Sequence, residues 1–139
     1  VFYSVHEKTF DRQGIKVPFS FEYLSRLDAV LAEKKCRQMF FAVDQEENVH
    51  AVFYMIWDQK SAYCHLMGDD PNFRKIGGSI LLTWEAIKYT SEVLQLDTFD
   101  FEGSMIQPIE LVRRNFGATQ QPYFNIRKTY NPLLKLLQK

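Results

Sequence analysis

The chain has 139 residues, 46% hydrophobic and 15% aromatic, and its 17 basic and 17 acidic side chains cancel. That is enough apolar material for one globular core, which excludes a disordered segment, and the zero balance argues against a domain built mainly to grip a nucleic-acid backbone. Cys36 and Cys64 lack metal-ligand spacing and are too few for a disulfide framework, so reduced thiols in a cytoplasmic setting are expected, and no apolar run reaches the roughly 18 residues that span a bilayer.

Apolar positions at Phe2, Val5 and Phe10 predict a first helix that stops at Gly14. Ile15–Phe19 holds a proline and reads as a connector. Ser20 is placed to cap a second helix through Lys35, whose stripe of Phe21, Leu24, Leu27, Val30 and Leu31 is expected in the core. The period then changes. Gln38–Val43, Val49–Trp57 and Ser61–Met67 read as strands on short loops, an antiparallel meander, with the acidic run Asp44–Glu47 as a solvated hairpin tip. A helix from Gly78 to Leu94 follows, with Ile80, Leu81, Trp84, Ile87 and Val93 along one side. Thr98–Glu102 alternates as a strand and breaks at Gly103. Ile106–Asn115 is a short helix with Pro108 in its first turn, where proline is tolerated. Pro122–Arg127 reads as a last strand, and Asn131-Pro132 opens a terminal helix. This order specifies an α/β (α+β) domain over residues 1–139: a mixed, mostly antiparallel sheet with helices on both faces. The start at Val1 instead of Met reads as a piece of something longer.

One stretch carries the richest chemistry. A strand ends at Leu66-Met67-Gly68, a turn-rich loop follows, and Arg74-Lys75-Ile76-Gly77-Gly78-Ser79 opens a helix. Glycines let a backbone approach closely, and the unpaired N–H groups of a first helical turn favour an anion. The competing reading is a tight turn before a core helix.

With that turn after the third meander strand, the chain resembles the GNAT acyltransferases. Their signature here is Arg or Gln, two residues, Gly, one residue, then Gly or Ala; Arg74-x-x-Gly77-x-Ser79 keeps the first two anchors and puts Ser at the third. The resemblance implies that Arg74, Lys75, Ile76, Gly77, Gly78 and Ser79 cradle the pyrophosphate of acyl-CoA, acetyl-CoA above all. It also implies that Leu66, Met67 and Gly68 splay from the neighbouring strand to hold the pantetheine arm. A second resemblance, to FemABX-type proteins and a related GNAT-like acetyltransferase group, rests on Asp100-Phe101-Glu102-Gly103, Val112-Arg113-Arg114-Asn115-Phe116-Gly117 and Pro122-Tyr123-Phe124. It implies aminoacyl-tRNA as an alternative donor and a second GNAT-like domain of the same chain, this being the C-terminal half. Two departures stand out. Many GNAT enzymes place an acid tyrosine where Val112 and Arg113 lie, and the opening strand is missing.

Acyl transfer to an amine needs a donor site, a base and an oxyanion stabiliser. Asp100 and Glu102, two apart on a strand, would share a face and supply base or amine anchor, against the alternative of carboxylates bonded to backbone N–H groups. Tyr123 is the remaining candidate for a proton donor, against a core-edge aromatic. His65 and Arg113 are candidates for substrate binding, against a satisfied structural histidine and ordinary cations at a helix C-terminus; Arg114, Arg127 and Lys128 would extend the patch. No metal is expected. The expected function is acyl or aminoacyl transfer to an amine on a small molecule or peptide. The alternative is a non-catalytic GNAT-like domain that binds substrate or partner while a companion domain outside this sequence carries catalysis.

Overall fold

The computed structural model describes residues 1–103 and 106–124, together with Ile126 and Lys128. A four-stranded sheet runs in the order β1 (Arg37–Val43), β2 (Val49–Trp57), β3 (Ser61–Asp69), β4 (Thr98–Asp100). The first two pairings are antiparallel, and β3 runs parallel to β4. The meander is as expected, and so is the mixed, mostly antiparallel sheet between helices.

Alternation along β2 sorts its side chains between two cores. Val52 and Tyr54 pack beneath α1 (Phe2–Arg12) and α2 (Phe21–Glu33), with Phe2, Val5 and Leu24. Ala51, Phe53 and Met55 pack on the other face beneath α3 (Gly78–Lys88), with Ala62, Cys64, Leu82 and Ala86. The Ser20 side chain caps α2 by accepting the Tyr23 N–H at 3.3 Å. The expected core stripe of α2 is only partly inside: Leu24 is buried, whereas Phe21 and Val30 are exposed.

The face of α3 is also other than expected. Leu82, Thr83 and Ala86 are buried, while Ile80, Leu81, Trp84 and Val93 are about half or more exposed. The reason is close approach. A Cβ on Gly78 would lie 3.1 Å from the Ala51 Cβ and 3.2 Å from the Ala42 Cβ, so a small-residue surface of the helix seats on a small-residue surface of the sheet. After Lys88 the helix widens into one π turn, Tyr89–Val93, where the Leu94 N–H reaches the Tyr89 carbonyl.

Strand β4 is shorter than expected. It ends at Asp100, because Glu102 (φ 56°) and Gly103 (φ 67°) both turn left-handed. Helix α4 (Gln107–Asn115) follows, with proline in its first turn. The expected strand at Pro122–Arg127 is not formed among the described residues: Pro122, Tyr123, Phe124 and Ile126 are in no regular structure, and Tyr123 is 82% exposed. A β4 of three residues offers little edge to pair with. Arg127 and the expected helix from Asn131 lie outside the described residues.

Candidate functional site

Strands β3 and β4 pair only at Ser61–Thr98, Ala62–Phe99 and Tyr63–Asp100. Beyond that point β3 continues to Asp69 with no strand on that side among the described residues, so the sheet opens into a cleft along Cys64–Asp69. A bulge marks where it opens. Tyr54 pairs with Leu66 while Met55 pairs with Cys64, which leaves His65 as the extra residue.

Helix α1 fixes the far end of β3. The buried His6 bonds through Nδ1 to the Met67 carbonyl at 2.7 Å, and burial lowers the imidazole pKa, so the ring is neutral and donates there. Thr9 Oγ1 accepts the Asp69 N–H at 2.8 Å. Lys8 reaches Asp70 at 2.5 Å and holds that buried carboxyl below the usual carboxylate range. Gly68 carries the closest approach: a Cβ there would stand 2.6 Å from His6 Cα.

The basic turn follows. Arg74–Ile76 forms one 3₁₀ turn, and Gly77, at φ 85° and ψ 21°, is the N-cap of α3. The first intrahelical bond, from the Leu81 N–H to the Gly77 carbonyl, leaves the N–H groups of Gly78, Ser79 and Ile80 ahead of it. Arg74 and Lys75 are exposed beside them. This is an anion-compatible helix start with two exposed cations, adjoining the end of the open strand. A hollow of about 300 Å³ also touches Gly77 and Gly78, but its other walls, Val43, His50 and Leu81, put it on the β1–β2 side, away from the cleft.

Two expected site residues come together at the cleft. His65 Nδ1 and Glu102 Oε1 are 3.4 Å apart, with side chains 28% and 40% exposed. The left-handed turn at Glu102 points its carboxylate back toward β3. Asp100 does not join them as a same-face partner. It accepts the Glu102 N–H at 2.7 Å and so shapes the turn. Arg113 is drawn inward from α4, its guanidinium 5.8 Å from the Phe101 ring centre, whereas Arg114 pairs with Glu110 on the surface. The expected patch of neighbouring cations is therefore divided between interior and surface. Burial pushes the Cys64 thiol up to about 12, opposed by the nearby Arg113 charge.

One cluster was not foreseen. Asp44 accepts N–H groups of Glu46 and Asn48, the Asn48 amide and His50 Nε2, so it organises the hairpin and is not merely a solvated tip residue. His50 in turn stacks on Phe73 at 4.1 Å, and its carbonyl accepts the Asp70 N–H. The loop before the basic turn is thus tied to the β1–β2 hairpin. Only the pairing of β2 with β3 brings His50 near Asp70, a separation no local motif records.

Comparison with known proteins agrees with this geometry. A family model described as an acetyltransferase (GNAT) domain matches residues 1–107. No curated protein matches the sequence. Among solved structures, a protein of Clostridium acetobutylicum described as a predicted acetyltransferase, with acetyl-CoA, superposes at TM-score 0.69 and 12% identity, over 96% of this chain and 89% of that one. Aminoglycoside 6'-N-acetyltransferase from Acinetobacter baumannii gives 0.65 and 11%, over 82% and 84%. A GNAT family acetyltransferase of Staphylococcus aureus gives 0.60 and 14%, over 91% and 89%. Identities this low speak for the fold.

Proposed function

The chain belongs to the GNAT acetyltransferase domain family, and on that footing we propose that it transfers an acyl group, acetyl in the first instance, from acyl-CoA to the amine of a small molecule or peptide. The observation that carries this reading is the cleft: a β3 edge that is open from Cys64 onward among the described residues, leading to the helix start at Gly77–Ser79 with Arg74 and Lys75 beside it. The diphosphate would take the first-turn N–H groups and the two cations, and the thioester arm would lie along Leu66–Gly68. His65 and Glu102 supply the proton acceptor. The amine attacks the thioester carbonyl directly, its proton passes to the His65–Glu102 pair, and no covalent enzyme intermediate is needed.

Of the three segments behind the FemABX-type resemblance, two are in contact, the Phe116 and Phe101 rings lying 6.1 Å apart. Aminoacyl-tRNA, which that resemblance implies, is the second donor to test. Calorimetric titration of the chain with acetyl-CoA and with aminoacyl-tRNA separates the two. The proposal expects acetyl-CoA to bind with an affinity that falls about 10-fold or more when Arg74 and Lys75 are both replaced by Ala, the scale of a lost charge-assisted bond. No binding at millimolar acetyl-CoA would refute it. Gly78 is a poor probe of this site, because a side chain there strikes Ala51 and Ala42 and disturbs helix packing first.

A further inference from the structure

Strand β2 carries a bulge of its own near its start. Ala42 pairs with Ala51 and Val43 with Val49, which leaves His50 as the extra residue. Two consecutive side chains, His50 and Ala51, therefore face α3, and a Cβ built on Gly78 would meet the Cβ atoms of the two at 3.4 and 3.1 Å. From there the buried imidazole reaches the start of the basic turn. It stacks on Phe73 with ring centres 4.1 Å apart and planes 7° from parallel, and Asp44 Oδ2 holds its Nε2 at 2.9 Å. Phe73 opens the turn: its carbonyl accepts the Ile76 N–H at 2.9 Å and closes the 3₁₀ segment Arg74–Ile76. The His50 carbonyl accepts the Asp70 N–H at 2.9 Å, and Asp70 Oδ1 accepts the Asn72 N–H at 2.9 Å. His50 thus brackets the stretch from Arg74 to Gly77 at both ends.

Held backbone and free charge meet in this turn. Arg74 and Lys75 are exposed and enter no ion pair among the described residues. A cation on a loose loop gives up conformational freedom when it meets an anion, whereas one on a fixed loop has given up part of it on folding. We propose that His50 is a positioning residue that sets where Arg74 and Lys75 present their charge to the diphosphate of the donor. The inference rests on the acyl-CoA reading above. The N–H groups of the helix start need no such help, because α3 is seated by its own contacts with Ala42 and Ala51. His50 therefore acts on the two cations. The bulge makes this possible: in an unbroken strand His50 and Ala51 would face opposite sides, and the imidazole could not lie beside Gly78.

The test is a double-mutant cycle on acetyl-CoA affinity, read by calorimetry with the 139-residue chain. Each variant is first shown to be folded by circular dichroism. His50→Ala is expected to weaken acetyl-CoA about fivefold in the unaltered chain. In a chain already carrying Arg74→Ala and Lys75→Ala the loss should be less than about twofold, because the charges that His50 positions are gone. A residue that only supports the fold would weaken both chains alike. Should His50→Ala fail to fold, Phe73→Leu removes the same stack from its half-buried side, with the same expectations. A loss below about twofold in the unaltered chain overturns the proposal, and so does a loss of about twofold or more that persists without the two cations. Failure of the unaltered chain to bind acetyl-CoA at millimolar concentration refutes the acyl-CoA reading instead, and the proposal falls with it.

Discussion

Replacing Gly68 with Ala tests how the end of β3 is held. The residue has no left-handed φ, so the cost is steric and not conformational. The new Cβ would stand 2.6 Å from His6 Cα, 2.8 Å from His6 N and 3.1 Å from the Val5 carbonyl carbon, all backbone atoms that no rotamer change can clear. Helix α1 must retreat from the strand by several tenths of an ångström. Such overpacking costs about 1–3 kcal/mol. The retreat also stretches the His6–Met67 bond at 2.7 Å and the Thr9–Asp69 bond at 2.8 Å, each worth about 0.5–1.5 kcal/mol. The expected loss is about 3–5 kcal/mol, read by urea unfolding of both proteins, with a fall in Tm of roughly 10 °C or more. Gly78→Ala supplies the internal scale. Its nearest contacts are side-chain Cβ atoms at 3.1 and 3.2 Å, so it should cost about 1 kcal/mol. A Gly68→Ala protein within about 0.5 kcal/mol of the parent, or a Gly78→Ala protein hurt equally, would refute the reasoning.

Three further outcomes are expected. Tyr54→Phe removes a buried hydroxyl that donates to Asp28 Oδ1 at 2.9 Å while leaving Arg37 on that carboxylate, and should cost about 1–2 kcal/mol in the same unfolding assay. Asp44 is held down to about 2 from 3.8, chiefly by the Asn48 amide with His50 assisting. Its folded pKa is the lower one, so its contribution is complete above the unfolded value and is lost as pH falls from near 4 toward 2; Asp44→Asn should flatten the urea midpoint across that window. Glu102→Gln should lower kcat about 10²–10⁴-fold in an acetyl-transfer assay while leaving acetyl-CoA affinity unchanged. A parallel loss of affinity would make the carboxylate structural.

How far the sequence could be read depends on where the information lay. The meander was legible because Val49–Trp57 is a continuous apolar run between polar turns, and β2 occupies those residues. The basic turn was legible because glycine next to cations at a helix start has a local physical meaning. The orientation of α3 was not. Ile80, Leu81, Leu82, Trp84, Ala86 and Ile87 surround the helix with apolar groups, and close approach to Ala42 and Ala51 selected the small-residue side over the bulkier one. The pairing of His65 with Glu102 was equally hidden. A period of two places Glu102 beside Asp100 on a strand, whereas a non-glycine residue at φ 56° ends the strand and swings the carboxylate across. Arg113 looked like one of several terminal cations until its contact with Phe101 set it apart.

The bulge at His65 works as a parity switch for the chain. Before it, Ala62 and Cys64 look toward α3; after it, Leu66 looks toward α1 and Gly68 lies against that helix. Take His65 away and Cys64, Leu66, Met67 and Gly68 fall opposite Met55, Tyr54, Phe53 and Val52 in unbroken alternation, so every later side chain keeps its face. The face exchange comes instead from losing a residue beyond the bulge: without Met67, Asp69 would move opposite Val52, into the space against His6 that does not admit even a methyl group. Deleting His65 would therefore remove the imidazole but leave the strand's assignment intact, whereas a deletion after it would not. Insertions and deletions in relatives of this chain should fall in the loops around β3 or at the bulge, and spare the stretch from Leu66 to Asp69.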